Sequence, residues 1–187
     1  QDIYQSSAVL IANESSSSGS DNLSGLSSMA SLAGINIQSS GGVTKANFAI
    51  EIIKSRDFFK HISSIDSVFA NLTSIKSYNA ELKKIYFDEK IYNQSLNEWQ
   101  VGEDGFTLKP NFQKAYDNYL YSVSIMHDKK SGFLYLSFQH QNPVFAKYFM
   151  DLIIQEVNII MKNKDLAQSS KAIEYLYSQL KNDSYVV

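Results

Sequence analysis

The feature that most constrains this chain is a helical pattern near its C-terminal end that is too long for a compact domain. Asn142 and Pro143 form a helix cap and first-turn pair, and no helix-breaking residue follows before about Asn182. A helix over 143–181 would be roughly 58 Å long, whereas a compact chain of this size has a radius of gyration of about 16 Å. The sequence therefore predicts a helix that extends beyond the domain in which it begins.

The two halves of this helix differ in composition. Up to Lys162 the residues are apolar nearly all round, which is typical of a helix that is buried on every side. Beyond Lys162 the apolar residues form only a narrow seam at helical spacing, made of Leu166, Ile173, Leu176 and Leu180. We expect this seam to pack against another helix, either from another part of the same chain or from a neighbouring subunit.

Two segments before the long helix alternate with the period of a β-strand. The first, over 3–12, has apolar residues on both faces near its end, which predicts a strand that is covered on both sides there. The second is a hairpin over 121–127 and 133–140, whose turn contains Gly132. We expect Gly132 to adopt a positive φ.

Helix signals separate these strands. Ser and Gly dominate 15–42, which favours a flexible loop, although the apolar residues spaced along 23–37 favour a short helix or turn within it that is docked onto a partner. Thr44 and Ser55 are placed to cap two successive amphipathic helices. Pro110 suits the first turn of a third helix.

The fold class follows from this order of elements, although the pattern over 67–100 is too irregular to divide. We expect an α+β fold in which helices pack on a small mixed sheet and one long helix protrudes. The base domain would span 1–162, and the long helix would run from 143 into 187, starting in the base and leaving it.

Composition excludes several classes of function. The chain has 17 Lys and Arg against 19 Asp and Glu, so its formal net charge of −2 offers no excess for binding nucleic acid phosphates. It has no Cys, which excludes disulfides, thiol catalysis and Cys-based metal sites. Its histidines are far apart in sequence and lack the spacing of metal ligands: His61, His127 and His140. We expect no metal, no cofactor and no nucleic acid partner.

The sequence also argues against catalysis. Asp88 and Glu89, and likewise Glu103 and Asp104, are adjacent, which points their carboxylates apart instead of toward one substrate bond. The chain contains no nucleophile elbow, no P-loop and no dinucleotide-binding fingerprint. We therefore expect no catalytic residues, with a glycan-processing enzyme that uses Asp88 and Glu103 as the remaining alternative from a different class.

One group of basic residues is a candidate interaction patch. Lys54 and Arg56 lie at a helix junction, and Lys60 follows one turn later. Such a patch either contacts a partner or forms an ordinary solvated helix face, and the sequence leaves both interpretations open.

Five segments follow one another along nearly the whole chain: YQSSAVLIAN, SSMASLAGINI, AIEIIKSRDFFKHI, SVSIMHDKKSGFLYLSFQHQNP and FAKYFMDLIIQEVNIIM. In order and spacing they resemble the polysaccharide chain-length determinant proteins, the Wzz family of polysaccharide co-polymerases. Ala49 and Ile53, followed by Ser55, Arg56 and Phe58, match the family's stretch of alanine, aliphatic residue, Ser-Arg and an apolar residue. Four later positions match its hairpin glycine, helix-start proline, small residue and asparagine, namely Gly132, Pro143, Ala146 and Asn158.

The resemblance implies a function as well as a fold. It implies a periplasmic domain of a bacterial inner-membrane protein, anchored by membrane helices outside this chain, whose subunits assemble into a homo-oligomeric ring. The ring would act on the polymerase that extends O-antigen of lipopolysaccharide or a related glycan, without enzymatic activity of its own. Two mechanisms are open, namely ring geometry and contact with the growing glycan.

The resemblance also bears on what flanks the chain. The sequence begins at Gln1 without a Met, and the family's chain returns from the long helix to the base, so we expect the full protein to extend at both ends. The nearest alternative within this interpretation is the periplasmic part of a capsule or exopolysaccharide co-polymerase that is coupled to a tyrosine kinase.

Overall fold

The structure is a computed structural model that describes residues 2–11, 44–65 and 67–183. In chain order its elements are β1 (Tyr4–Ile11), α1 (Lys45–Lys54), α2 (Arg56–Ser63), α3 (Val68–Thr73), β2 (Ile75–Asn79), β3 (Lys84–Phe87), β4 (Tyr92–Asn93), β5 (Glu98–Trp99), α4 (Phe112–Ser122), β6 (Val123–His127), β7 (Phe133–His140) and α5 (Pro143–Asp183). The predicted α+β class is confirmed. The Ser/Gly-rich segment, with its predicted loop and short helix, lies outside the described residues.

A three-stranded antiparallel sheet in the order β1-β7-β6 forms the centre of the base. Its inner face carries the buried Leu134, Leu136 and Phe138, which pack against the helices. The first strand was predicted to be covered on both faces near its end. On the outer face of the sheet, however, Val9 is 58% exposed and Ile11 is 71% exposed. Within the described part of the chain, β1 is therefore covered on one face only.

The predicted cap at Thr44 and the predicted helix junction at Ser55 are confirmed. Thr44 Oγ1 accepts a hydrogen bond from the Asn47 N–H at 3.1 Å. Ser55 serves two helices at once, because its N–H donates to the Ile52 carbonyl while its Oγ accepts from the Phe58 N–H. One serine thus ends α1 and begins α2, which sets the bend between them.

Helix α4 begins later than predicted and takes two residues from the predicted hairpin strand. Asn111, not Pro110, starts the helix, because Asn111 Oδ1 accepts from the Lys114 N–H at 2.8 Å. At the other end, Tyr121 and Ser122 belong to α4, and β6 starts at Val123. The first strand of the hairpin is therefore two residues shorter than the segment 121–127 over which the sequence alternates.

The segment that the sequence pattern could not divide contains α3 and two small hairpins, β2-β3 and β4-β5. Three residues other than glycine take positive φ values there: Ser67 (62°), Lys83 (49°) and Asn97 (55°). These backbone conformations permit tight turns. The elements between the turns have only two to six residues, which is too short for a periodic pattern of apolar residues to be recognised.

Helix α5 has 41 residues, which gives a length of about 62 Å. Ala146, Phe149, Ile153 and Val157 are buried on the face that packs against the base. The prediction that the first half is buried on every side is wrong, since Val144 on the opposite face is 69% exposed. The helix lies on the surface of the base, so only one of its faces is covered by the described residues.

Candidate interaction surfaces

The α1–α2 junction is held by two tyrosines of α4. Tyr119 donates a hydrogen bond from its hydroxyl to the Ile53 carbonyl, and Tyr116 donates to the Lys54 carbonyl. Carbonyls at the end of a helix lack partners within the helix, so these hydroxyls satisfy them. Phe59 of α2 stacks on Tyr119 with 4.9 Å between ring centroids. The junction and α4 therefore form one packed unit.

Arg56 is part of the same unit. Its guanidinium lies 5.3 Å from the ring centroids of both Phe112 and Tyr116, and it donates a hydrogen bond to Gln113 Oε1. Through these contacts the positive charge of Arg56 stabilises the packing of α2 on α4. The other two residues of the predicted basic patch, Lys54 and Lys60, are exposed. The Arg56 guanidinium beside them already contacts α4.

The other positions that match the family pattern lie in separate places. Phe58 is buried in the core, and Ala146 is buried where α5 packs on the sheet. Gly132 adopts the predicted positive φ of 75° in the hairpin turn, and Pro143 is the first residue of α5. Asn158 is exposed on α5. The structure thus brings Ser55, Arg56 and Phe58 together at the α1–α2 junction and places Pro143 and Ala146 together in the first turn of α5, whereas Gly132 and Asn158 lie elsewhere.

Asn142 caps α5 as predicted. Its Oδ1 accepts a hydrogen bond from the Val144 N–H at 3.0 Å, and its carbonyl accepts from the Ala146 N–H. The Asn142 side chain is itself buried, at 2% exposure. The direction in which α5 leaves the base is therefore set at its first turn.

The predicted seam is exposed and belongs to a longer apolar surface on the face of α5 that points away from the base. We call this surface the outward stripe. Ile159, Leu166, Ile173 and Leu180 recur every seven residues and so lie on one side of the helix. Between 40% and 66% of each member of the stripe is exposed: Ile159, Leu166, Ile173, Leu176, Tyr177 and Leu180. Ile159 and Tyr177 were not predicted as part of the seam. Ile159 lies in the half of the helix that was expected to be buried on every side.

Contacts on the opposite face mark how far α5 stays with the base. His61 of α2 and Glu156 are joined by a hydrogen bond of 2.8 Å between Nε2 and Oε2. Further along, Lys45 Nζ contacts Asp165 Oδ2 at 2.8 Å, and Lys164 Nζ lies 3.2 Å from the centroid of the Phe48 ring. In the part of the chain that the structure describes, the Lys45 ion pair is the one furthest along α5. Residues 166–183 extend about 27 Å further.

The residues considered for catalysis lie in different turns. Asp88 accepts a hydrogen bond from the Lys90 N–H, which makes its carboxylate part of the turn that follows β3. Glu103 is exposed in the turn between Gly102 and Gly105. Within the described ranges, no three His, Asp or Glu side chains are grouped so that they could hold a metal ion.

None of the helices formed by residues 2–11, 44–65 and 67–183 combines the length and the apolar character needed to cross a bilayer. Comparison of the sequence with models of known protein families and with curated proteins gave no match.

Proposed function

We propose that this chain is part of a non-catalytic regulator of polysaccharide chain length. It would act in the bacterial periplasm as a homo-oligomeric scaffold on an inner-membrane polymerase that makes O-antigen or a related surface glycan. Support comes from the order of elements in the base, the long helix, and the resemblance of five sequence segments to the Wzz family.

The observation that carries the proposal is the division of α5 into two faces. One face packs on the base through residues such as Ile153 and Val157, and the other presents the outward stripe. A side-by-side ring needs a rigid projecting element with an apolar side that contacts a neighbouring subunit. Helix α5 has the length, the attachment and the apolar residues for that role.

The proposed mechanism needs no bond-making residue in this chain. Each subunit would contribute its base and α5 to the ring, and the polymerase would release the glycan at a length that depends on the assembled ring. Membrane helices outside this chain would place the base near the polymerase.

The test is the gel ladder of surface polysaccharide. The full-length gene, with both flanks, is supplied to a bacterium that carries the matching polymerase and lacks its own regulator. We expect the ladder to gather into a preferred size range. A random ladder, with the protein present in the inner membrane, would contradict the proposal.

A matched pair of variants separates scaffolding from catalysis. Asp88→Asn and Glu103→Gln remove the carboxylates that a glycan-processing enzyme would use, and they leave α5 unchanged. We expect the preferred size range to persist in the double variant. If it disappears, and purified wild-type protein also cleaves an oligosaccharide, the scaffold account is wrong.

A further inference from the structure

A cleft of about 320 Å³ lies where β7 ends and α5 begins. Its walls come from the ends of α3, α4, β2 and β7, together with Ile3 just before β1. None of the residues in the basic patch or the outward stripe lines it. The cleft is therefore a separate feature of the base.

The polar groups that line the cleft are mainly uncharged. They are carboxamides and hydroxyls: Asn71, Thr73, Asn118, Ser122, Gln139 and Gln141. No Asp, Glu, Lys or Arg occurs among the described residues of the lining. Carboxamides and hydroxyls both donate and accept hydrogen bonds, so they suit a ligand that carries many hydroxyls and no net charge.

His140, the remaining titratable group besides a tyrosine, fits this neutral surface. Its Nδ1 accepts from the Asn142 N–H at 3.1 Å, so its Nε2 carries the proton and donates to the Asn71 carbonyl at 3.0 Å. Burial lowers the pKa of His140 below its ordinary value. The imidazole is therefore held in the neutral form at pH 7.

Two residues that line the cleft each have a buried side-chain oxygen with no hydrogen-bond partner among the described residues: Asn71 Oδ1 and Gln141 Oε1. Asn71 is only 8% exposed, and its Nδ2 already donates to the Ser67 carbonyl at 2.9 Å. Turning the Asn71 amide over would break that bond, so its oxygen needs a donor from elsewhere. Buried acceptors without partners are costly, and a ligand hydroxyl is a donor of the kind they lack.

An aromatic side chain stands at the rim. Tyr121 lines the cleft and is 93% exposed, so packing within the base does not account for it. A tyrosine ring offers a flat apolar face with a polar end. The C–H face of a sugar ring packs on such a surface while the sugar's hydroxyls meet neighbouring amides.

We infer that this cleft binds an uncharged sugar unit of a polysaccharide chain. The inference rests on the proposed function for the identity of that chain, because a regulator of a polymerase works beside growing glycan. Gln141 lies two residues before Pro143, the first residue of α5, so the cleft is at the end of α5 opposite to its projecting tip. On the proposed function, this is the end of the base that faces the membrane and the polymerase.

The direct test is binding to the purified chain. Isotope-labelled protein is titrated with neutral oligosaccharides from dextran, mannan and galactan, and with acidic oligosaccharides from polygalacturonate. We expect at least one neutral probe to bind saturably and to shift the carboxamide NMR signals of Asn71, Asn118 and Gln141. If no neutral probe shifts these signals, or if the acidic probe shifts them equally, the inference is wrong.

Variants at exposed positions keep the test independent of folding. Tyr121→Ala should weaken the binding about tenfold, because an aromatic contact at a binding site contributes a large share of the affinity. Tyr177→Ala is the matched control, since Tyr177 is also exposed but lies on the outward stripe. Equal binding by wild type and Tyr121→Ala would overturn the assignment of the sugar to this cleft.

The two proposals can fail separately. A preferred ladder without any neutral-sugar binding would leave the regulator function standing and remove the cleft from it. If a neutral sugar binds at the cleft but the full-length gene does not change the ladder, the binding site stands and the proposed function is wrong.

Discussion

The hydroxyl of Tyr119 donates a 2.7 Å hydrogen bond to the carbonyl of Ile53, which lies 66 residues earlier in the chain. Tyr119 is fully buried, and burial raises the pKa of its phenol above the ordinary value, so it remains a donor at physiological pH. This bond links α4 to the α1–α2 junction, where Ser55 and Arg56 also lie.

Removing that hydroxyl should destabilise the base. Tyr119→Phe leaves the buried Ile53 carbonyl without its donor, and we expect the free energy of unfolding to fall by about 1–3 kcal/mol. Urea unfolding monitored by circular dichroism measures the change. Tyr116→Phe is the control, because water can replace its more exposed bond to the Lys54 carbonyl, so its cost should be smaller. If the two variants lose the same free energy of unfolding, burial of the Tyr119 hydrogen bond does not increase its contribution to stability.

The hairpin turn should respond to backbone strain alone. Gly132 has a φ of 75°, and a Cβ at this position would meet no atom within 4 Å. Gly132→Ala should therefore cost about 1 kcal/mol through its left-handed backbone, without any steric clash. Gly132→Asn should cost less, because asparagine tolerates this region better. Thermal denaturation of both variants tests the order, and an alanine variant as stable as wild type would contradict it.

Stability should depend on pH through His140. Because burial lowers its pKa in the folded state, the unfolded chain binds the proton more readily at pH values below about 6.5. The contribution of neutral His140 is therefore complete above that pH and is lost as the pH falls through the lowered folded pKa. His140→Gln should flatten the decrease in unfolding free energy that begins as the pH falls below about 6.5.

Asp128 titrates in a different pH range from His140. A hydrogen bond from the Ser131 hydroxyl lowers the pKa of Asp128 below its ordinary 3.8, so any stability that depends on its charge is lost only in stronger acid. If the decrease in unfolding free energy below about pH 6.5 is the same in His140→Gln as in wild type, the effect belongs to groups other than His140.

The outward stripe should govern contact between subunits if the proposed function holds. Leu166→Asp with Ile173→Asp places two charges on exposed apolar positions, so the base should fold normally while cross-linking of the full-length protein in membranes falls strongly. Gln168→Asp with Gln179→Asp adds the same charge to the opposite side of the helix and should have little effect. Loss of cross-linking in both pairs would indicate a general effect of charge and count against the stripe.

Local chemistry explains which parts of the fold could be predicted from sequence. Thr44, Ser55 and Asn142 were predicted as caps because a cap depends on hydrogen bonds to residues two or three positions away. Gly132 was predicted correctly for the same reason, since a tight hairpin turn is specified by its own few residues. The start of α4 was predicted wrongly from Pro110. Asn111 caps the helix instead, because its side chain accepts a hydrogen bond from the Lys114 N–H.

Features that depend on tertiary packing could not be predicted. The position of Tyr119 beneath the α1–α2 junction joins residues far apart in sequence, and no periodic pattern encodes it. Arg56 was read as part of a basic patch, whereas its position between Phe112 and Tyr116 depends on how α4 docks. The neutral cleft was missed because its lining comes from the ends of several elements, each contributing one or two ordinary amides or hydroxyls.

The ion pair between Lys45 and Asp165 has a mechanical consequence. Among the described residues it is the ion pair furthest along α5 that joins the helix to the base, so the first half of α5 is held against the base as a cantilever is held at its support. A small rotation of α1 against the sheet would be amplified along residues 166–183, and the displacement would grow in proportion to distance from the support. Events at the foot of the helix would thereby reach its far end as movement, without any change in the helix itself.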